Sequence, residues 1–339
     1  MIDLRSDTLT KPTREMLEAM FSADVGDDVF MEDPTVGRLE DKAADILGME
    51  AGLFCPSGTM CNQIAIRILT QPQDEVICDE KSHIYNYEGG GIAYNSFVTT
   101  QLVRGDRGRI SPTDIISHIK PDDIHYPHTA LVSLENTVNK GGGSVYRLSD
   151  IESINNVCRD NNLALHLDGA RLFNALVQTG DASRDYGKYF DTISICLSKG
   201  LGAPVGSVLL GSTDHIRRAR RVRKVMGGGM RQVGYLAAAG IYALDFHIDR
   251  LKKDHGRARH IAGILERLPW VNAILPVETN IVIFALADDI NPQEFLKKLA
   301  DAGVKGISFG GQNIRFVTHL DFDDNQLEKL EKVLMGSIK

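Results

Sequence analysis

The chain lacks the features of a secreted or membrane-bound protein. Its five cysteines show no C-x-x-C spacing, and their odd number indicates free thiols rather than a disulfide framework. No apolar run is long enough to span a bilayer, and the first residues, Met1 to Asp7, lack the basic and then apolar order of a signal peptide. We therefore expect a cytoplasmic protein that does not bind membranes.

An excess of positive charge and metal-binding motifs are also absent. The 339 residues include 38 Lys and Arg against 45 Asp and Glu, so binding to nucleic acid has no electrostatic basis. The ten histidines form no H-E-x-x-H motif, and we expect no metal site. One basic run, from Arg217 to Lys224, has Ile216, Ala219 and Val222 along one edge, which is typical of a solvated helix face.

The sequence does contain a regular alternation of short apolar runs and amphipathic segments, which predicts a parallel α/β fold. The runs are rich in Val, Ile and Leu, as expected of strands that are covered on both faces. Strands are predicted at residues 52–55, 75–78, 130–134, 163–167, 192–196 and 207–210. Helices are predicted at residues 35–47, from residue 57 onward and at residues 149–161.

The pattern changes after about residue 231, which indicates a second domain. Helix-forming residues fill 235–268, with a hinge expected at 247–249. A strand, a helix, a second strand and a last helix follow, at residues 280–286, 292–302, 313–319 and 323–335. We therefore divide the chain into a large domain, residues 1–250, and a small C-terminal α+β domain, residues 251–339.

Three segments place polar groups at the carboxyl ends of predicted strands, where open α/β sheets bind ligands. Asp168 ends one strand, and Lys199 follows another and precedes a glycine-rich turn. Ser57, Gly58 and Thr59 join a third strand to a helix start, where amides and hydroxyls could hold a phosphate. Each has a plainer explanation by itself: helix caps for Asp168 and Ser57, and a side chain that reaches solvent for Lys199.

Together the three segments supply what pyridoxal phosphate requires. A carboxylate keeps the ring nitrogen of the cofactor protonated, and a neutral lysine amine forms a Schiff base with its aldehyde. The order of phosphate loop, Asp168 and then Lys199 about thirty residues later resembles the aspartate aminotransferase fold superfamily. That resemblance implies a fold-type I architecture, in which a three-layer α/β/α large domain with a mainly parallel sheet carries a small α+β domain.

Longer motifs resemble the threonine aldolase family over nearly the whole chain. In order they are Ile2 to Thr8, Thr10 to Pro12, Val25 to Asp28, Glu32 to Pro34, Pro56 to Met60, Leu134 to Thr137, His166 to Arg171, Leu197 to Gly200 and Gly227 to Gln232. The resemblance implies a lyase that splits L-threonine, L-allo-threonine and related β-hydroxy-α-amino acids into glycine and an aldehyde. It also implies threonine catabolism, glycine biosynthesis and a homotetramer, a dimer of dimers with active sites at subunit interfaces.

The resemblance further implies roles for single residues. Lys199 would carry the cofactor, Asp168 would pair with its ring nitrogen, and His83 would stack on the ring face. His83, His125 or a water between them would take the proton of the substrate hydroxyl. The cofactor-binding residues would be Ser57, Gly58, Thr59, His83, Asp168, Arg171 and Lys199, with Lys224 and Arg231 reaching a neighbouring subunit. The substrate would contact Ser6, Tyr87, Arg171 and Arg315, the two arginines binding its carboxylate.

Several alternatives stay open at this point. Another pyridoxal phosphate lyase or a transaminase would use the same cofactor residues, because a fold does not determine a reaction. A cysteine desulfurase needs a mobile cysteine, and Cys55 and Cys196 lie in predicted buried strands. A cofactor-binding protein without turnover would be expected to lack the lysine or the aspartate. A surface loop histidine explains His125 nearly as well as a site role does, and an interface packing residue explains Tyr87 equally well.

Overall fold

The computed structural model describes residues 1–336, so the last three residues of the predicted small domain, 337–339, lie outside the described residues. The strands are β1 (Ile2–Asp3), β2 (Ala51–Cys55), β3 (Asp74–Asp79), β4 (Thr99–Val103), β5 (His128–Glu135), β6 (Ala164–Gly169), β7 (Thr192–Cys196), β8 (Ser207–Gly211), β9 (Val271–Ile274), β10 (Ile281–Leu286), β11 (Val304–Lys305), β12 (Ile307–Ser308) and β13 (Asn313–Val317). The helices are α1 (Arg14–Phe21), α2 (Pro34–Leu47), α3 (Gly58–Leu69), α4 (His83–Asn86), α5 (Gly91–Ser96), α6 (Pro112–Ile116), α7 (Leu148–Asp160), α8 (Leu172–Thr179), α9 (Thr213–Val225), α10 (Gly234–Phe246), α11 (Leu251–Leu265), α12 (Pro292–Asp301) and α13 (Asp324–Gly336).

Seven strands form the large sheet in the order β2-β8-β7-β6-β5-β3-β4. The strands from β7 to β4 are parallel, which confirms the predicted mainly parallel sheet. Strand β8 runs antiparallel to both of its neighbours, β7 and β2. Strand β2 therefore points the same way as β5, β6 and β7, and the carboxyl ends of all four lie at one edge of the sheet.

Consecutive residues of the large sheet point into different cores, as they do when helices cover both faces. In β2, Leu53 packs with α3 and α9, whereas the adjacent Phe54 packs with the cluster that includes α2, α7 and α10. In β3, Val76 and Ile77 divide in the same way between two clusters. This burial on both faces explains why the strands read as continuous apolar runs.

The small domain is built on an antiparallel sheet in the order β12-β13-β10-β9. Its core is rich in aromatic side chains, including Phe284, Phe295 and Phe316. Strand β1 pairs in parallel with β11, and Ile2 packs in the same core. The first residues therefore pack with the small domain, although the sequence division assigned them to the large domain.

The helical region predicted at 235–268 is two helices, α10 and α11, separated at the expected hinge. The boundary at residue 250 stays a prediction.

Two further observations bear on the expectations from composition. All five cysteines are buried and free. No helix within residues 1–336 combines the length and the apolar character that a membrane span requires.

Candidate active site

The predicted site residues gather at the carboxyl edge of the large sheet because of strand register. Asp168 of β6 lies beside Ser194 of β7 on one side and beside Glu135 of β5 on the other. Lys199 follows the end of β7 by three residues. The loop after β2 lies three strand spacings from β6, or roughly 14 Å at the usual distance between strands.

The loop after β2 ends in the start of helix α3. Ser57 is its N-cap, as predicted, and the Ser57 hydroxyl oxygen accepts a hydrogen bond of 3.2 Å from the Met60 amide. The amides of Gly58 and Thr59 make no hydrogen bond to any residue from 1 to 336, so they are available to an anion. A Cβ at position 58 would lie 2.6 Å from Cys196 Sγ, so glycine alone fits this close approach.

Asp168 is buried and held from two sides. Its Oδ2 accepts a hydrogen bond of 2.9 Å from Asn62 Nδ2, and its Oδ1 accepts one of 3.1 Å from the Ala170 amide. It does not cap the next helix, α8, whose N-cap is Arg171. The carboxylate is therefore fixed at the sheet edge, where it can face a cationic ring nitrogen.

His83 begins helix α4 and pairs with a buried carboxylate. Its Nδ1 lies 2.9 Å from Glu88 Oε1. Burial opposes the charged form of His83, but the hydrogen bond with Glu88 and the charge of Asp168 outweigh burial and raise the pKa of His83. Since Glu88 can only accept a hydrogen bond, Nδ1 carries the proton and Nε2 is left to act on a ligand.

His83, Glu88 and Asp168 are also the one group of potential metal ligands within residues 1–336 whose donor atoms lie within 4.8 Å of one another. The direct hydrogen bond between His83 and Glu88 accounts for their proximity without an ion. The expectation of no metal stays a prediction.

Glu135 is a second buried carboxylate at this edge. Its Oε2 accepts a hydrogen bond of 2.8 Å from the His83 amide, and its Oε1 accepts one of 2.8 Å from the Asn139 amide. Burial and the charge of Asp168 raise the pKa of Glu135 to about 7. Glu135 thus anchors the backbone that carries His83.

Arg171 forms a bidentate ion pair with Asp7. Both hydrogen bonds measure 2.7 Å, and both side chains are buried. Burial favours the neutral form of Asp7, but the charge and hydrogen bonds of Arg171 prevail and hold the pKa of Asp7 well below its usual range. The pair leaves Nη1 as the one terminal nitrogen of Arg171 without a hydrogen bond to a described residue. The pair uses the Nε and Nη2 side of the guanidinium, so the Nη1 and Nη2 N–H groups at its end remain as a fork for a ligand carboxylate.

Arg315 lies in β13 and forms no ion pair with any residue from 1 to 336. Its Nη1 donates to Asn139 Oδ1 and its Nη2 donates to the Arg5 carbonyl oxygen, both at 2.9 Å. Its Nε is buried without a hydrogen bond. Burial, and then the nearby charge of Arg171, lower the pKa of Arg315 to about 10. Two neighbouring arginines with one carboxylate between them leave this part of the site short of negative charge.

Lys199 is partly buried, and its ammonium has no ion pair within residues 1–336. Its charge reaches both Asp7 and His83, whose pKa values it helps to lower. The hydroxyl of Thr10 donates to the Lys199 carbonyl oxygen at 3.0 Å and so holds the backbone from the N-terminal segment.

Two predicted substrate residues lie beside these groups. The Tyr87 ring centroid lies 5.6 Å from that of His83, and the Tyr87 side chain is half exposed. The Ser6 hydroxyl oxygen accepts a hydrogen bond of 3.2 Å from the Thr8 amide and caps the short helix Asp7–Leu9.

The structure places His125 away from the site of its own chain, and it shows no hydrogen bond or ion pair between Lys224 or Arg231 and the other site residues within residues 1–336. His125 precedes β5 and is exposed, with its Nδ1 2.6 Å from Asp123. Because it lies at the amino end of this eight-residue strand, it is roughly 20 Å or more from the carboxyl edge. Arg231 pairs with Asp27 at 2.9 Å, and Lys224 is an exposed residue of α9. A role for His125 therefore requires a second subunit.

Sequence reasoning missed four buried residues at the site: Asp7, Asn62, Glu135 and His166. Their partners are distant along the chain; Asn62 and Asp168, for example, are 106 residues apart. A signal was present for Asp7, Glu135 and His166, because all three lie in the motifs quoted above, but no spacing rule reveals their hydrogen bonds in the folded chain.

Comparison with known proteins places these residues in context. The profile described as beta-eliminating lyase matches residues 3–289. The low specificity L-threonine aldolase of Escherichia coli is 43% identical over 332 residues, which cover 97% of this chain and 97% of that protein. The low specificity L-threonine aldolase of Saccharomyces cerevisiae is 40% identical over 336 residues, covering 97% and 84%. A threonine aldolase structure from Leishmania major has a TM-score of 0.84 at 21% identity, covers 98% of each chain and shows the shared fold.

Proposed function

The chain belongs to the beta-eliminating lyase family and, within it, to the low-specificity L-threonine aldolases, and on this premise we propose how its residues carry out the reaction. The enzyme uses pyridoxal phosphate and cleaves L-threonine, L-allo-threonine and related β-hydroxy-α-amino acids to glycine and an aldehyde. The observation that carries this function is the identity of 43% to such an aldolase over 97% of the chain.

The residues at the sheet edge fit the cofactor in charge and in their common position at the carboxyl ends of the strands. The free amides of Gly58 and Thr59, with the Ser57 and Thr59 hydroxyls, would bind its phosphate. Asp168 would hold the proton of its ring nitrogen, and the unpaired amine of Lys199 would bind its aldehyde. Bound pyridoxal phosphate supplies a ring that accepts the electron pair released when the Cα–Cβ bond of the amino acid breaks.

The two arginines would hold the substrate carboxylate. Arg315 has a buried Nε without a hydrogen bond and forms no ion pair within residues 1–336, and Arg171 retains one terminal nitrogen that its pair with Asp7 does not use. A carboxylate here would supply the missing negative charge and link the large domain to β13 of the small domain. Ser6 and Tyr87 lie close enough to border the same ligand.

His83 is the proposed proton acceptor for the substrate hydroxyl. Glu88 fixes the proton on Nδ1, so the lone pair of Nε2 can take the hydroxyl proton as the aldehyde leaves. The ring of His83 would also cover one face of the cofactor. His125 would contribute only from a neighbouring chain, because it lies at the opposite edge of the sheet.

We further propose that the enzyme is a cytoplasmic homotetramer, a dimer of dimers, that acts in threonine catabolism and glycine biosynthesis. Five buried free thiols suit a reducing compartment. Large apolar side chains are exposed at Phe30, Met31, Tyr94 and Val225, where a second copy of the chain would cover them. In such an assembly Lys224 and Arg231 would reach the phosphate of a neighbouring subunit.

Aldehyde release from L-threonine and L-allo-threonine tests the proposed roles. We expect the purified protein with added pyridoxal phosphate to release aldehyde from at least one isomer. Lys199→Ala should abolish release and the visible absorbance of the bound cofactor, because the aldehyde of the cofactor loses the amine that binds it. A protein that shows this absorbance but releases no aldehyde would direct the assignment to transamination or β-elimination.

A further inference from the structure

The buried side-chain amide of Asn62 donates hydrogen bonds to two carboxylates of the site, Asp168 and Glu88. One N–H of its Nδ2 donates to Asp168 Oδ2 at 2.9 Å, and the other donates to Glu88 Oε1 at 2.8 Å. Asp168 is the proposed partner of the cofactor ring nitrogen, and Glu88 is the partner of His83. Asn62 lies on helix α3, whose first turn is the proposed phosphate site. One helix thus connects all three functions.

The oxygen of Asn62 is fixed from the opposite side. The Ser194 hydroxyl donates to Asn62 Oδ1 at 2.6 Å, and His166 Nε2 lies 3.1 Å from the same oxygen. Burial lowers the pKa of His166 to about 4, so the ring is neutral. Its Nε2 carries the proton, because Asn62 Oδ1 can only accept, and its Nδ1 accepts from Thr192 Oγ1 at 2.8 Å.

Every hydrogen-bonding position of the Asn62 amide is therefore used, with two donated and two accepted bonds. A fully satisfied buried amide has one stable orientation, since a flipped amide would direct N–H groups at two donors and its oxygen at two carboxylates. The orientation of Asn62 consequently sets the orientation of both carboxylates.

We propose that Asn62 is a positioning residue that holds Asp168 and Glu88 in place at the same time. One amide therefore sets the position of the carboxylate that faces the cofactor ring nitrogen and of the carboxylate that binds His83. The inference rests on the proposed placement of the ring nitrogen against Asp168. Gln63 provides the matched comparison, because its Nε2 donates to Glu88 Oε2 at 2.7 Å and it makes no hydrogen bond to Asp168.

A carboxylate that loses an N–H donor keeps its negative charge but loses part of the stabilisation of that charge. The less stabilised charge then raises the pKa of the cationic group beside it, which is the ring nitrogen for Asp168 and His83 for Glu88. Asn62→Leu removes a donor from both carboxylates, whereas Gln63→Met removes a donor from Glu88 alone. The other titratable or charged groups near the two carboxylates are unchanged in both variants; they are Cys61, His83, Glu135, His166, Arg171 and Lys199.

The experiment compares two titrations of the cofactor-loaded enzyme. The first follows the visible absorbance of bound pyridoxal phosphate against pH, and the second follows kcat/KM for L-threonine against pH. Asn62→Leu should move the absorbance midpoint and the acid limb of kcat/KM to higher pH, the former by about one unit, the size expected from one lost hydrogen bond to a charged group. Gln63→Met should move the acid limb and leave the absorbance midpoint in place.

An absorbance midpoint that is the same in Asn62→Leu and the unaltered enzyme would overturn the proposal, as would an equal shift in Gln63→Met. Ser194→Ala is the milder variant if Asn62→Leu does not fold, because it removes one of the two groups that orient the amide. It should shift the absorbance midpoint in the same direction by a smaller amount, and no shift counts against the proposal. An unaltered protein that binds no pyridoxal phosphate would instead refute the proposed cofactor site.

Discussion

His83 keeps one ring nitrogen free because Glu88 occupies the other. The side chain of Glu88 is fully buried and accepts hydrogen bonds from Asn62, Gln63 and His83. Its negative charge favours the imidazolium form of His83 and, with Asp168, raises the pKa of that residue. A general base must be neutral to accept a proton, so the rate should rise with pH as His83 loses its charge.

Glu88→Gln should therefore move the acid limb of the profile of kcat/KM against pH to lower pH. The neutral amide no longer stabilises the imidazolium, so His83 becomes a free base at a more acidic pH. We also expect kcat/KM at neutral pH to fall about 10- to 100-fold, since the imidazole loses its orienting carboxylate. Steady-state rates of aldehyde release over a range of pH values measure both effects.

Glu80→Gln serves as the control for this change. Glu80 is an exposed residue shortly before His83, and its one ion pair, with Arg104, spans 3.8 Å at the surface. The profile of this variant should match that of the unaltered enzyme. An acid limb that stays in place in Glu88→Gln would show that His83 is not the group titrating there.

The residues of the site differ in how far the sequence could predict them. Asp168, Lys199 and Ser57 end or follow apolar runs, so local pattern was enough to place them at one sheet edge. Asn62 and Glu135 act through hydrogen bonds that exist only after strands and helices are assembled. The bidentate pair between Asp7 and Arg171, 164 residues apart, likewise could not be predicted from spacing.

At the level of secondary structure, buried strands were predicted, whereas a partly exposed strand and very short strands were missed. All six predicted strands of the large sheet are confirmed, because burial on both faces makes them apolar throughout. Strand β4 lies at the end of the sheet and is partly exposed along most of its length, so its sequence, Thr99 to Val103, shows a weaker apolar signal. The short strands β1, β11 and β12 have two residues each, which is too few for a period to be recognised.

Asp33 connects two helices of the large domain and should be an unusually important helix cap. Its Oδ1 accepts hydrogen bonds from the Thr35 and Val36 amides at the start of α2, both at 3.1 Å. Its Oδ2 accepts another, of 2.9 Å, from the Gly234 amide at the start of α10. The side chain is buried, so water cannot replace these bonds easily.

Asp33→Ala should lower the free energy of unfolding by about 2 kcal/mol or more, because it removes a cap and leaves a third buried amide without a partner. Asn291→Ala is the matched variant: Asn291 caps α12 through the Gln293 and Glu294 amides but binds no second helix. We expect a loss of about 1 kcal/mol there. Urea unfolding of the two variants measures the difference, and equal losses would show that the bond to Gly234 contributes nothing.

At the level of the whole molecule, one chain brings together only some of the residues predicted for the site. Asp168, Lys199 and His83 meet at the carboxyl edge of the large sheet, but His125 lies beyond the amino end of β5 on an exposed loop. If His125 acts on the substrate, it must do so in the active site of a neighbouring subunit. The exposed apolar side chains Phe30, Met31 and Val225 provide surface for such an assembly.

Mixed oligomers of two inactive variants test this sharing of residues between subunits. Lys199→Ala lacks the cofactor lysine, and His125→Ala should lose activity at least 100-fold if the imidazole acts in proton transfer. In a hybrid dimer whose sites each combine Lys199 of one chain with His125 of the other, one of the two sites is intact. Equal mixing by unfolding and refolding should then restore about a quarter of full activity, because half of the dimers are hybrids.

Recovery should coincide with the oligomer peak in light scattering, at four times the mass of one chain. If both residues served the same chain's site, each site of a hybrid would lack one of them, and mixing would restore no activity.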